Sequence, residues 1–160
     1  MQDFIALAER LAEASAAIIT RYYRTPVAVD DKADGSPVTI ADREAEAAMR
    51  ALIMETFPDH GIIGEEYGHH QPDAPYRWTL DPIDGTKNFL AGSFLFGTLI
   101  GLLKDGQPIL GALNHPLTGH LLIGAAGQTR LNGQPVSVRP CARLEDAVLL
   151  ASTHVGVARY

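Results

Sequence analysis

Small and apolar side chains recur at intervals of three and four along the first stretch of the chain: Phe4, Leu7, Ala8, Leu11, Ser15, Ile18, Ile19 and Tyr22. That spacing predicts an amphipathic helix, with Asp3 available as its cap. A polar stretch from Asp30 to Pro37 follows, in which Asp34-Gly35-Ser36-Pro37 is turn chemistry, and it reads as a loop. From Thr39 a second helical pattern places Ala45, Met49, Leu52, Ile53 and Phe57 on one face and stops at Pro58. Asp42 falls in its first turn.

Beyond Pro58 the period changes. Ile62-Ile63, Trp78-Thr79-Leu80, Phe96 to Leu103, Ile109 to Leu113 and His120 to Ala125 are short runs rich in branched and aromatic residues, bounded by Gly, Pro and Asp. Such runs read as strands. Lys104-Asp105-Gly106-Gln107 and Asn132-Gly133 are hairpin signals, so the later strands are expected to form an antiparallel meander. Two helices followed by many strands predict an α+β fold: two amino-terminal helices packed on one face of a largely antiparallel sheet. Ala147-Val148-Leu149-Leu150-Ala151 reads as a further strand. Its uncovered edge predicts self-association, so a homo-oligomer is expected.

Of the 160 residues, 46% are hydrophobic and 20% charged, the composition of a globular domain with one core. The single cysteine, Cys141, permits no intramolecular disulfide, which suits a reducing compartment; it reads as a small buried hydrophobe. The amino terminus has no basic region followed by an unbroken apolar one, so no signal peptide is expected. Phe94 to Leu103 is too short and too rich in glycine to span a membrane. A cytoplasmic protein with no membrane partner follows as the expectation.

Nineteen acidic residues against thirteen basic ones give a net charge of −6, without any run of Lys or Arg. This disfavours a nucleic-acid partner. It also repels an anionic substrate unless a cation stands in the site.

The densest functional chemistry runs from Gly64-Glu65-Glu66 to Asp81-Pro82-Ile83-Asp84-Gly85-Thr86. Carboxylates three apart around a Pro turn can converge on a hard cation, and Glu65 from a neighbouring strand end could complete the site. Gly85-Thr86 can aim backbone N–H groups at an anion. Singly, Asp-Pro and Asp-Gly are ordinary turn dipeptides; their coincidence with a third carboxylate is the signal. The candidate ligands are all oxygen, which suits Mg²⁺ or Mn²⁺ rather than Zn²⁺. His69-His70 lacks metal-pair spacing and reads as a solvated loop, and His115 and His120 read as turn residues.

With Val38-Thr39-Ile40-Ala41-Asp42 upstream, these motifs resemble the inositol monophosphatase-like family of metal-dependent phosphatases, in the family's order. Phe57 to Gly68, Phe96-Gly97-Thr98-Leu99-Ile100, and Asn132-Gly133 with Val138-Arg139 and Cys141 are most similar to its histidinol-phosphate phosphatases. The likeness runs along nearly the whole chain and implies the amino-terminal half of that family's fold.

The resemblance also implies a site. Glu65, Asp81, the Ile83 carbonyl and Asp84 would be metal ligands, with Asp81 bridging two Mg²⁺ ions (Mn²⁺ as substitute). The Gly85 and Thr86 amides would hold the phosphate. Asp42 and the Thr86 hydroxyl would position the attacking water, making Asp42, Thr86 and Glu65 the catalytic set. Lys32 and Glu66 would stand in the outer shell. The implied partner is a small phosphorylated metabolite and the implied reaction is hydrolysis of L-histidinol phosphate to L-histidinol, a step of histidine biosynthesis. An inositol 1-monophosphate or a nucleotide bisphosphate is the alternative substrate.

Members of the family are longer and carry a later Trp-Asp motif, whose aspartate completes the second cation site. Here the one tryptophan, Trp78, precedes Thr79. Residues 1–160 are therefore expected to form the amino-terminal part of one phosphatase domain without its carboxy-terminal part. A catalytically inert fragment that binds metal is the further alternative.

Overall fold

The structure is a computed structural model that describes residues 1–31, 35 and 37–148. Helix α1 (Gln2–Tyr22) buries Leu7, Ala8, Leu11, Ala12, Ser15 and Ile19 along one stripe, as the three-and-four spacing predicts. Met1 is its cap position; Asp3 lies inside the first turn, where a carboxylate meets the positive end of the helix dipole instead of capping it. Short strands β1 (Val29–Asp31) and β2 (Pro37–Thr39) pair antiparallel, Val29 opposite Thr39. Both ends of the expected Asp30–Pro37 loop are thus strand.

Helix α2 (Ile40–Thr56) starts at a capping box. The Ala41 amide donates to the Thr39 hydroxyl (3.1 Å) and the Thr39 amide donates to the Asp42 carboxylate (2.8 Å). Both bonds satisfy donors that a helix start otherwise strands.

The main sheet comprises β3 (Gly61–Gly64), β4 (Gly68–His70), β5 (Tyr76–Asp84), β6 (Gly97–Lys104), β7 (Gln107–His115), β8 (His120–Ala125), β9 (Gln128–Leu131) and β10 (Gln134–Pro135). A short helix, α3 (Thr86–Leu90), follows β5. Spatial order is β10-β9-β8-β7-β6-β5-β3-β4. From β5 to β10 it is the expected meander, while β3 runs parallel to β5. Asp105-Gly106 and Asn132-Gly133 turn their hairpins with positive φ at both residues, the geometry that matches strand twist.

Three further expectations need correction. His69 and His70 lie in edge strand β4, paired with Ile63 and Ile62, because the ladder to β3 takes up their backbone. His115 and His120 are the facing end residues of β7 and β8 rather than turn residues. Cys141 is exposed, and its thiol donates to the Arg143 carbonyl (3.2 Å); every described residue from Asn132 onward is exposed, so no core exists there to receive it. The strand expected at Ala147–Ala151 lies largely outside the described residues, as does Lys32.

The core fills the space between the helices and one sheet face. Leu7, Leu11, Met49 and Ile53 meet Ile62, Trp78, Leu80, Ile100, Leu102 and Leu110. Alternation sends Thr79, Asp81, Leu99, Gly101, Gly111, Leu113 and Gly124 to the opposite face, where Leu99 and Leu113 are exposed. On that face Gly101 pairs with Gly111 and Gly111 with Gly124. Among the described residues no helix is long and apolar enough to cross a membrane.

At one end of the core, Trp78 Nε1–H donates to His60 Nδ1 (3.1 Å), so that nitrogen must be unprotonated. The imidazole stacks on Phe57 and Tyr76 at ring distances of 4.6 and 4.9 Å. Burial lowers its pKa below the ordinary 6.5, opposed by Asp59. The unfolded chain therefore takes up this proton before the folded one does. Stability from this group is full above about pH 6.5 and is lost as pH falls towards the folded pKa. The urea midpoint should drop between about pH 7.5 and about pH 5.5, and less in His60→Gln, which keeps an acceptor without titrating. Equal drops in both proteins would assign the effect to other groups.

Candidate active site

The site is built where β5 ends. Strands β3 and β5 run side by side in the same direction, and the Glu65 amide extends their ladder by donating to the Leu80 carbonyl (3.1 Å). Glu65 and Asp81 thereby emerge at neighbouring carboxyl ends, the position where parallel strands commonly present ligand groups. Both line one open depression of about 380 Å³ with Ile63, Thr79 and Leu99.

Beyond Asp81 the register with β6 slips: Asp81 faces Leu99 but Asp84 faces Gly97. Pro82 explains the slip, since it has no N–H for the ladder and tolerates only bulges or edges. The bulge re-aims the chain. Ile83 turns into a buried cluster with Ala41, Ala45, Phe89 and Phe96, and Asp84 is exposed. Thr98, itself buried, donates from Oγ1 to the Pro82 carbonyl (2.8 Å). Thr98→Val should strand that carbonyl and lower stability by about 1–3 kcal/mol in urea unfolding. A loss below about 0.5 kcal/mol, the range of an uninvolved surface change, would mean that the bulge is held elsewhere.

Gly85 follows with φ +93° as the cap of α3. A side chain there would be strained, and its Cβ would stand 3.0 Å from the Leu95 carbonyl oxygen. The first amides of α3 are those that a helix start leaves without intrahelical acceptors. The Thr86 hydroxyl donates to the Ile83 carbonyl (3.0 Å) and its oxygen lies 3.5 Å from Asp42 Oδ1. Asp42 is only 2% exposed. Its Oδ2 accepts from the Thr39 amide and hydroxyl (2.8 and 2.6 Å), which fixes the carboxyl plane and turns Oδ1 towards Thr86. One aspartate thus starts a helix and faces the site.

The structure therefore brings Glu65 and Asp81 together, and separately Asp42, Thr86 and the Ile83 carbonyl, the two groups joined by the end of β5. Glu66 stands next to Glu65 and contributes its backbone amide to the Glu46 carboxylate (2.7 Å). Among the described residues no three His, Cys, Asp or Glu side chains form a ready-made metal cage. Mg²⁺ seldom uses one: it takes one or two carboxylates, and substrate oxygen and water fill the remaining positions. An oxygen-only pair lining a solvent-open depression fits that habit.

Sequence reasoning missed Glu46. It occupies a position on the buried face of α2, with Ala45, Met49 and Ile53, and a carboxylate in an apolar stripe is the signal that marks it.

Comparison with known proteins places the fold in a family. Residues 1–159 match the Inositol monophosphatase family. The chain is 46% identical over 156 residues to the bifunctional phosphatase IMPL2, chloroplastic, of Arabidopsis thaliana, covering 96% of this chain and 45% of that protein. It is 40% identical over 144 residues to a histidinol-phosphatase of Chlorobaculum parvum, covering 89% of this chain and 56% of that one. The solved structure of an inositol monophosphatase from Zymomonas mobilis superposes with a TM-score of 0.74 at 47% identity, covering 88% of this chain and 54% of the other. The chain spans about half the length of the curated relatives it matches. With two helices and an antiparallel meander along a match from residue 1 to residue 159, the chain belongs to the inositol monophosphatase family.

Proposed function

We propose that this chain carries the cation- and phosphate-binding part of a Mg²⁺-dependent phosphomonoesterase that hydrolyses L-histidinol phosphate. One observation carries the reading: Glu65 and Asp81 share a depression at adjacent parallel strand ends, one bulge away from the Asp42–Thr86 pair. Glu65, Asp81, the Ile83 carbonyl and Asp84 would hold the cation. When bound, it supplies Lewis acidity, making water nucleophilic near neutral pH and offsetting charge on the phosphoryl group.

The chain's own residues do the rest. Asp42 Oδ1 and the Thr86 hydroxyl, already oriented by Thr39 and the Ile83 carbonyl, align a water, and the Asp42 carboxylate takes up its proton. Gly85 turns the backbone so that its own amide and that of Thr86 meet the phosphate. Glu66 and Lys32 belong to the outer shell in this reading. The product is phosphate without a covalent phospho-enzyme, and the chain forms the amino-terminal part of the domain, acting as a cytoplasmic homo-oligomer.

Likeness to the Chlorobaculum histidinol-phosphatase supports histidinol phosphate as substrate. Likeness to the Zymomonas inositol monophosphatase supports an inositol phosphate as the second reading. Phosphate release from L-histidinol phosphate, inositol 1-phosphate and adenosine bisphosphate, with and without Mg²⁺, decides between them. The expected result is Mg²⁺-dependent release that is fastest from histidinol phosphate. Faster release from inositol phosphate reassigns the substrate, and a Mg²⁺ binding heat with no release from any of the three leaves an inert metal-binding chain.

A further inference from the structure

Glu46 is fully buried in α2, one helical turn beyond Asp42, and its carboxylate is held by groups outside the proposed cation-ligand set. Its Oε2 accepts from the Glu66 amide (2.7 Å), and its Oε1 accepts from the Tyr67 amide (3.1 Å) and from the Arg50 guanidinium (3.1 Å). The same guanidinium nitrogen of Arg50 donates to the Gly68 carbonyl (3.0 Å). Carboxylate and guanidinium together grip the whole turn that leaves β3, from Glu66 to Gly68.

Gly64 closes the grip from the other side. A Cβ at that position would overlap the Glu46 carboxylate and stand 2.9 Å from Arg50, so the strand backbone lies against the buried acid only because it has no side chain. Glu65 is held between this glycine and the first gripped amide.

A buried carboxylate is costly unless every lone pair is used. Here the donors come from both sides of the carboxyl group, two amides and one guanidinium, and only a group with acceptors on both oxygens answers them. A glutamine of the same shape would turn an NH₂ towards an N–H, wherever it pointed. The requirement is for charge and two acceptors, not for volume.

We propose that Glu46 is a positioning residue: through the Glu66 and Tyr67 amides it sets the direction of Glu65, and hence the affinity of the depression for a divalent cation. This rests on the reading of Glu65 and Asp81 as cation ligands. Groups that orient a ligand from behind typically change metal affinity 10–100-fold when replaced.

Mn²⁺ titration of the chain followed by electron paramagnetic resonance, beside urea midpoints, tests it. Glu65→Gln should abolish Mn²⁺ binding. Glu46→Gln should weaken it by about 10–100-fold at temperatures where the variant is fully folded, and should shift the backbone amide resonances of Glu66 and Tyr67. Arg50→Lys keeps the charge and loses the planar fork, so it should weaken Mn²⁺ in the same direction by less, and it stands in if Glu46→Gln does not fold. Unchanged Mn²⁺ affinity in a folded Glu46→Gln, or in Arg50→Lys where only that variant folds, overturns the proposal while Glu65→Gln upholds the site. A wild-type chain that takes no Mn²⁺ overturns the site and this proposal together.

Discussion

Asp81→Asn should leave the chain folded and lower Mg²⁺-dependent phosphate release by about 10³-fold or more. Asp81 is half-buried on the face of β5 turned away from the helices, with Oδ1 shielded from solvent, and an amide of the same shape leaves the core between helices and sheet unchanged. The effect on chemistry is of another order. In the proposed site this carboxylate shares its depression with Glu65, and an amide brings no charge to a cation held there. A cation contributes several kcal/mol of charge stabilisation to phosphoryl transfer, and each 1.36 kcal/mol is a factor of about ten in rate. Phosphate release at saturating Mg²⁺, read beside the urea midpoint, checks it. Wild-type turnover in a folded Asp81→Asn would remove this strand end from the reaction.

Thr86→Val should lower kcat by about 10²–10⁴-fold, the usual yield of proton transfer by a positioned group. Valine keeps the branched shape and removes only the hydroxyl, which donates to the Ile83 carbonyl and faces Asp42 Oδ1. If the hydroxyl aligns water, KM and Mn²⁺ affinity stay near wild type while kcat falls. If it serves instead to hold the Ile83 carbonyl, kcat and Mn²⁺ affinity fall together, since that carbonyl is itself a proposed ligand. The split between the two measurements separates the roles.

The helices and hairpins were legible because their signals are local. Leu7, Leu11 and Ile19 repeat within one element, and Asp105-Gly106 or Asn132-Gly133 is a turn by its own chemistry. The parallel pairing of β3 with β5 was not, because Ile62 finds Trp78 across an intervening strand, and no period in either segment encodes that meeting. The same limit applies to Asp30–Pro37, where Val29 and Thr39 pair across a segment full of turn residues. At the candidate site, the meeting of Glu65 with Asp81 was readable from residue type and spacing. Glu46 could be flagged by its place in the apolar stripe of α2, but its role could not, since two of its three partners are backbone amides twenty and twenty-one residues away, and a backbone amide leaves no trace in a list of side chains. Cys141 was misplaced because residue type predicts average burial only, and the chain there has left the sheet.

The glycines facing one another across β6, β7 and β8 have a further consequence. A Cβ on Gly111 would meet nothing within 4 Å, so no contact among the described residues demands glycine there, although glycine weakens a strand by about 0.5–1 kcal/mol relative to alanine. The Thr79 side chain covers Gly101 and Thr129 flanks Gly124, and Gly111 between them is left bare. Layers packed on a sheet usually stand about 10 Å away because side chains hold them off. Over Gly111, among the described residues, nothing within 4 Å does, so a layer laid on that face can approach the backbone more closely there than side chains usually allow.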